Sequence, residues 1–152
     1  MITPVWYCLG FAFDHGGNVL LLRKHPKRGP ASVRNRLNGL GGKIQDGEST
    51  ISAMVREFRE ESGIETMPGV WRPVVQLRFA SSGAIVKVFT ARLPTLADAR
   101  PAEEALAVFS SDTVGARPDL APCVAWLVPL CLDDDVRCRD LSITLLNEWE
   151  TR

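Results

Sequence analysis

An excess of charge of either sign is missing from this 152-residue chain: 18 Lys and Arg balance 18 Asp and Glu, and the sequence pI is near 6.7. A balanced chain has no overall field to draw it to nucleic acid or to an anionic membrane, so neither is expected as a partner. Long apolar runs are missing too. The longest late one, "CVAWLVPLCL" at 123–132, is too short to span a bilayer. The apolar start "VWYCLGFAF" (5–13) has no basic segment ahead of it and ends in "DHGGN", which reads as a strand and turn rather than a signal peptide. Cysteine is scarce and unpatterned. Cys8, Cys123, Cys131 and Cys138 form no CxxC and no metal-ligand spacing, which points to reduced thiols and a cytoplasmic location. No internal repeat, low-complexity tract or linker divides the chain, and its length suits a single domain, residues 1–152.

What is present is the patterning of a small α/β protein, with 45% hydrophobic residues. Residues 5–13 and 19–23 are β-rich runs joined by the turn-forming "DHGGN", which predicts a hairpin. "RKHPKRGPASVRNRLNGLGG" (23–42) reads as a polar loop broken by Pro26, Pro30 and glycines. Residues 70–80 and 84–92 predict a second strand pair around "SSG"; "ALAVFS" (105–110) is a further strand, and "DLSITLLNEW" (140–149) fits either strand or helix. Helical material is expected near 120–133. Strands on both sides of a helix imply an α/β domain on a mixed sheet.

The clearest helix covers about 49–62, capped by Ser49 or Thr50 and stopped at Gly63. At 100° per residue, Ile51, Val55, Phe58 and Ser62 share one arc, with Met54 at its edge. Glu57, Glu60 and Glu61 occupy another arc, spaced i, i+3, i+4. Like charges at that spacing repel by a few tenths of a kcal/mol per pair. Arg56 and Arg59 flank the cluster, yet neither falls on its line of the helix. A hard divalent cation would resolve the conflict: Mg²⁺ prefers oxygen ligands and commonly binds one or two carboxylates together with substrate phosphates. The glycines at 39, 41 and 42 let backbone approach such a ligand closely. A solvated acidic helix face is the alternative.

The wider pattern decides between them. Gly42, five residues, Glu48, seven residues, then Arg56-Glu57-Phe58-Arg59-Glu60-Glu61-Ser62-Gly63-Ile64 matches G-x5-E-x7-R-E-U-x-E-E-x-G-U at every defined position. With residue frequencies of about 5–7% each, a chance match is on the order of one in a million or rarer. This is the Nudix box, and the chain resembles the Nudix hydrolases, pyrophosphohydrolases of nucleoside diphosphates linked to another group. The resemblance implies an α/β/α sandwich with the box as loop-helix-loop. It implies that Glu57, Glu60 and Glu61 hold Mg²⁺ (Mn²⁺ as a substitute), with the Gly42 carbonyl as a further ligand. Glu48 and Arg56 would orient the carboxylates, and Gly63 would let the chain leave the helix. Catalysis would fall to Glu57 and Glu60, with Glu57 one candidate for the base. Many family members instead use a glutamate on a loop well beyond the box. Glu103 and Glu104 are the carboxylate pair in that region here, with Glu103 slightly favoured.

Residues 23–36 hold six of the eighteen basic residues and no acid, and with Lys43 they form the positive patch that the overall balance conceals. Arg23 and Lys24, at a strand end, and Lys43 are expected to hold polyphosphate. "RLNGLGGK" resembles the "WNGxGGK" run of the MutT-type branch, where an asparagine at the position of Asn38 hydrogen-bonds the base; capping a turn is the other reading of Asn38. The purine-stacking tryptophan and paired aspartates of the mammalian branch have no match in "GARPDLAPCVAW". The expected activity is therefore Mg²⁺-dependent hydrolysis of a nucleoside triphosphate, oxidised or unmodified, to a monophosphate and pyrophosphate by a monomer or homodimer. Dinucleoside polyphosphates, nucleotide sugars and cap-like nucleotides are the alternative substrates, and a non-hydrolysing nucleotide sensor is the alternative role.

Overall fold

Alternation within the first two strands decides how the chain is layered. In the computed structural model, which describes residues 3–136 and 141–146, β1 (Trp6–Phe13) sends Phe11 and Phe13 to one cluster of buried side chains and Cys8 and Ala12 to another. β2 (Asn18–Arg23) does the same with Val19 and Leu21 against Leu20 and Leu22. Successive strand side chains point to opposite faces, so strands apolar at both parities must be covered on both sides. One face is covered by Val124, Leu127, Val128 and Cys131 of α2 (Val124–Leu132), the other by Ala53, Met54 and Phe58 of α1 (Thr50–Ser62). The result is the α/β/α sandwich expected from the sequence.

The hairpin between β1 and β2 pairs Phe13 with Val19, and the Asp14 carboxylate closes its turn by accepting the N–H groups of Gly16 and Asn18 at 2.9 Å each. The second expected pair is β5 (Trp71–Phe79) with β6 (Ile85–Arg92). A bulge between Pro73 and Val75 changes the parity of β5, so Trp71 faces α1 whereas Val75 and Leu77 face α2. β6 runs parallel to β1, and the sheet is mixed. β7 (Leu106–Ser110) lies along β2. Over 140–149 the strand alternative is found: β8 (Ser142–Leu145) runs parallel to β5, while positions 140 and 147–149, like Cys138, lie outside the described residues. Cys8, Cys123 and Cys131 are free, buried thiols.

The expected polar loop of 23–42 ends in strands: β3 (Leu37–Asn38) pairs with β2, and β4 (Leu40–Lys43) pairs antiparallel with β1. Glycine is a poor strand former, which hides β4 in the sequence. The pairing itself demands it: a Cβ on Gly41 would collide with the Cys8 carbonyl of β1.

α1 starts where expected. The Ser49 hydroxyl accepts the Ser52 N–H at 3.1 Å, and Gly63 ends the helix in the left-handed region at φ 73°. Its buried residues are Ala53, Met54, Phe58 and Ser62, with Ile51 and Val55 only half-buried. The buried arc is thus centred on Met54 and Phe58 rather than having Met54 at its edge. Gly10 makes the difference, because the Met54 thioether occupies the space a side chain there would fill, beside Trp71. Phe58 meets Trp71 edge-to-face with ring centres 5.0 Å apart. This rotation turns Glu57 and Glu61 onto β4.

Candidate active site

Two of the three helix carboxylates lie directly against the glycines of β4. A Cβ built on Gly42 would come within 2.5–2.8 Å of the Glu57 carboxyl atoms, so only glycine admits Glu57 there. One turn on, Glu61 accepts the Gly41 N–H at 2.7 Å. Glu60, between them on the helix, has a side chain 52% exposed.

Arg56 supplies a compensation that the helix geometry alone does not suggest. Its guanidinium grips Glu48 with two bonds of 2.7 and 3.0 Å, reaches Glu57 at 2.9 Å and Glu60 at 3.2 Å, and donates to the Lys43 carbonyl at 3.2 Å. The side chain of Arg56 is long enough to fold back across its own turn, so its place on the helical wheel does not limit its reach. This network joins the box loop, the helix and the end of β4. The bidentate contact holds the Glu48 carboxyl below its ordinary range and raises the Arg56 guanidinium further above neutrality. Arg59 is exposed and takes no part in that network.

Glu61 is in a different position. Burial pushes its carboxyl up to about 7; the Lys24 ammonium and the Gly41 N–H pull against that, while Glu57 and Glu104 add to it. A carboxyl that titrates near neutrality next to two other carboxylates is short of positive charge, which is the condition under which a cation binds with most effect.

The parity of β2 separates two residues that are neighbours in sequence. Lys24, following Leu20 and Leu22, is on the α1 side: its ammonium is 3.9 Å from Glu104 and acts on Glu61. Arg23, following Val19 and Leu21, is on the α2 side. There it donates to Asp119 at 2.7 Å and to the Asn35 carbonyl at 2.8 Å. Asp119 also takes two bonds from Arg117, whose guanidinium lies 4.6 Å from the centre of the Phe109 ring. No motif in the sequence marks Asp119 as the partner of Arg23.

Glu103 and Glu104 also part company. Glu103 is exposed and pairs with the equally exposed Arg28 at 3.1 Å. Glu104 turns inward, accepts the His25 N–H through Oε2 at 2.6 Å and faces the Glu61–Lys24 pair. Asn38 accepts the Gly39 N–H at 2.8 Å through its side-chain oxygen. Lys43 is exposed at the end of β4, and Trp126 packs partly buried on the α2 side.

Among the described residues no three acidic, histidine or cysteine side chains already converge as a metal cluster; Glu57 and Glu60 are turned to Arg56, and Glu61 to Gly41. The donor set fits a hard divalent ion all the same. It consists only of carboxylate oxygens on adjacent turns of one helix, beside a glycine backbone. Among the described residues no helix is long and apolar enough to cross a membrane.

The family and the fold both have counterparts among known proteins. A family model for the NUDIX domain matches residues 4–127. The fold is similar to a NUDIX hydrolase from Nitrosomonas europaea (TM-score 0.73, 16% identity, 97% of this chain and 81% of that one) and to a MutT protein from Methanosarcina mazei Go1 (TM-score 0.68, 21% identity, 87% and 94%). It is also similar to the E. coli ORF135 protein (TM-score 0.65, 25% identity, 86% and 90%). No curated protein matches the sequence.

Proposed function

The chain belongs to the Nudix family, hydrolases of pyrophosphate bonds, and from that premise we propose that it cleaves nucleoside triphosphates, oxidised or unmodified, to a monophosphate and pyrophosphate. The observation that carries this reading is the packing of Glu57 and Glu61 on Gly42 and Gly41, with Glu60 alongside. Glu57, Glu60, Glu61 and the Gly42 carbonyl would hold Mg²⁺, or Mn²⁺ in its place. Such an ion supplies positive charge to the phosphoryl oxygens that otherwise repel an incoming water.

The chain's own residues do the rest. Glu48 anchors Arg56, and Arg56 keeps Glu57 and Glu60 beside β4. Lys24, on the carboxylate side of the sheet, and Lys43, at the end of β4, add charge for the phosphate chain. Arg23 could reach that chain only by leaving Asp119, so Lys24 is the better contact. Asn38 would present its amide N–H groups to the base, its oxygen being taken by Gly39.

Glu104 is the better candidate than Glu103 for the general base. Its Oε2 is fixed by the His25 N–H, and Oε1, 3.9 Å from the Lys24 ammonium, would take the proton as the water oxygen bonds to phosphorus and the anhydride bond breaks. Glu104→Gln is expected to lower kcat by roughly 10²–10⁴-fold, the usual contribution of a general base. Glu103→Gln should stay within about twofold of wild type, since it removes only an exposed ion pair. Equal losses in both variants would contradict the assignment. The reading as a whole is tested by following pyrophosphate release from a panel of nucleotides with and without Mg²⁺. It fails if no triphosphate is cleaved.

A further inference from the structure

The peptide group joining Lys24 to His25, just past the end of β2, is held from both sides. Its carbonyl accepts the Asn35 N–H at 3.1 Å, and its N–H is the one that donates to Glu104 Oε2 at 2.6 Å. Lys24 is also anchored through its own N–H, which donates to the Arg36 carbonyl at 2.9 Å, so the two ends of the basic loop are tied together. Asn35 stands in the left-handed region at φ 56°, and its carbonyl accepts from Arg23 at 2.8 Å. The backbone leading into His25 is therefore fixed. On the far side, the contact that fixes it comes from the His25 ring.

His25 Nδ1 accepts the Lys27 N–H at 3.0 Å. This contact assigns the neutral ring with its proton on Nε2. Pro26, between the two residues, has no N–H and holds its φ at about −65°, and it disfavours the helical region for His25 ahead of it. The ring thus closes a turn over Pro26 as an Asx side chain does, its acceptor lying the same number of bonds from Cα as an asparagine oxygen. Opening that turn would free the chain beyond His25 to swing, and the N–H would lose its aim on Glu104. Glu104 depends on that aim. Glu61 faces it with a like charge, and its Oε1 is 3.9 Å from the Lys24 ammonium, too far for a hydrogen bond.

We infer that the His25 side chain is a positioning residue for the hydrolysis: by closing the turn over Pro26 it keeps the His25 N–H on Glu104 and so orients Oε1 toward the attacking water. The inference rests on the reading of Glu104 as the general base. It gives the ring no proton to transfer and no contact with substrate. What matters is the acceptor and not the ring as such. Asparagine, whose side-chain oxygen accepts an N–H two residues on, should therefore replace His25, whereas phenylalanine, a planar ring without an acceptor, should not.

The test follows kcat and KM for a nucleoside triphosphate with Mg²⁺ in wild type, His25→Asn, His25→Phe, Glu104→Gln and the double variant His25→Phe, Glu104→Gln. His25→Phe is expected to lower kcat roughly ten- to a hundredfold, the scale of a misplaced catalytic group, with KM within about twofold of wild type. His25→Asn should keep most of the wild-type kcat. With Glu104 already replaced, His25→Phe should cost less than about twofold more, because the group it aims is gone. Three results would overturn the inference and leave the base in place: the same loss on both backgrounds, the same loss in His25→Asn as in His25→Phe, or full activity in His25→Phe beside an impaired Glu104→Gln. Full turnover in Glu104→Gln, or a wild type that cleaves no triphosphate, would instead overturn the catalytic reading and the positioning role with it. The amide proton of residue 25 reports without turnover. Bonded to a carboxylate at 2.6 Å, it should lie downfield in the nuclear magnetic resonance spectra of wild type and His25→Asn, and move upfield in His25→Phe as in Glu104→Gln. An unmoved signal in His25→Phe would show that the ring does not hold this bond.

Discussion

Glu60→Gln is expected to lower kcat by roughly a thousandfold, at the upper end of what one lost electrostatic group costs an active site, while the melting temperature stays within a few degrees of wild type. The two halves of this result have separate causes. Glu60 is half exposed and, among the described residues, is ion-paired only with Arg56, so its loss removes an i,i+4 surface pair worth at most about 1 kcal/mol. Its proposed work is done only when phosphate and a cation are present, and a neutral amide cannot supply the charge. Circular dichroism melting beside a pyrophosphate-release assay would separate the two. A variant with wild-type turnover would remove Glu60 from the site.

Arg56→Ala should show the reverse balance, with a large loss of stability accompanying the loss of activity. Five bonds converge on this guanidinium, and its side chain and those of Glu48 and Glu57 are between 15 and 18% exposed. Without it, two poorly solvated carboxylates, Glu48 and Glu57, lose their counter-charge and the Lys43 carbonyl loses this donor. Breaking a fully buried pair costs about 3–5 kcal/mol; partial solvation here lowers the expectation to roughly 2–3 kcal/mol, or about 5–10 °C in melting temperature. Millimolar Mg²⁺ should return part of that loss, because a cation on Glu57 and Glu60 replaces the missing charge. Arg56→Lys should fall between, since an ammonium cannot make the two-pronged contact with Glu48. An Arg56→Ala protein as stable as wild type, with and without Mg²⁺, would show that the network is not what holds the box loop.

How far the site could be read from sequence depends on the range of the interaction. Helix α1, its Ser49 cap and its Gly63 stop follow from local preferences, and the hairpins follow from "DHGGN" and "SSG" between alternating strands. The box spacing places Glu57, Glu60 and Glu61 on one arc. What sequence could not give was set by contacts between distant segments. β4 was hidden because its glycines, weak strand formers, are required by the close approach of Cys8 and Glu57. The compensation of Glu57 and Glu60 by Arg56 depends on a side chain folding back across its helix, which a wheel diagram does not represent. Arg23 and Lys24 look alike in sequence, and only the strand parity sends one to Asp119 and the other to Glu104. Glu103 and Glu104 likewise differ by one position, and the contact with the His25 N–H distinguishes them.

The most direct measurement is the binding of Mn²⁺, followed by its electron paramagnetic resonance signal, to wild type and to a Glu57→Gln, Glu60→Gln, Glu61→Gln protein. Because the ion must displace the proton that Glu61 carries up to about pH 7, wild-type affinity should be higher at pH 8 than at pH 6. Wild type is expected to remove Mn²⁺ from solution at millimolar concentration, and the substituted protein, still folded, is not. Equal uptake by the two would mean that these carboxylates do not form the cation site.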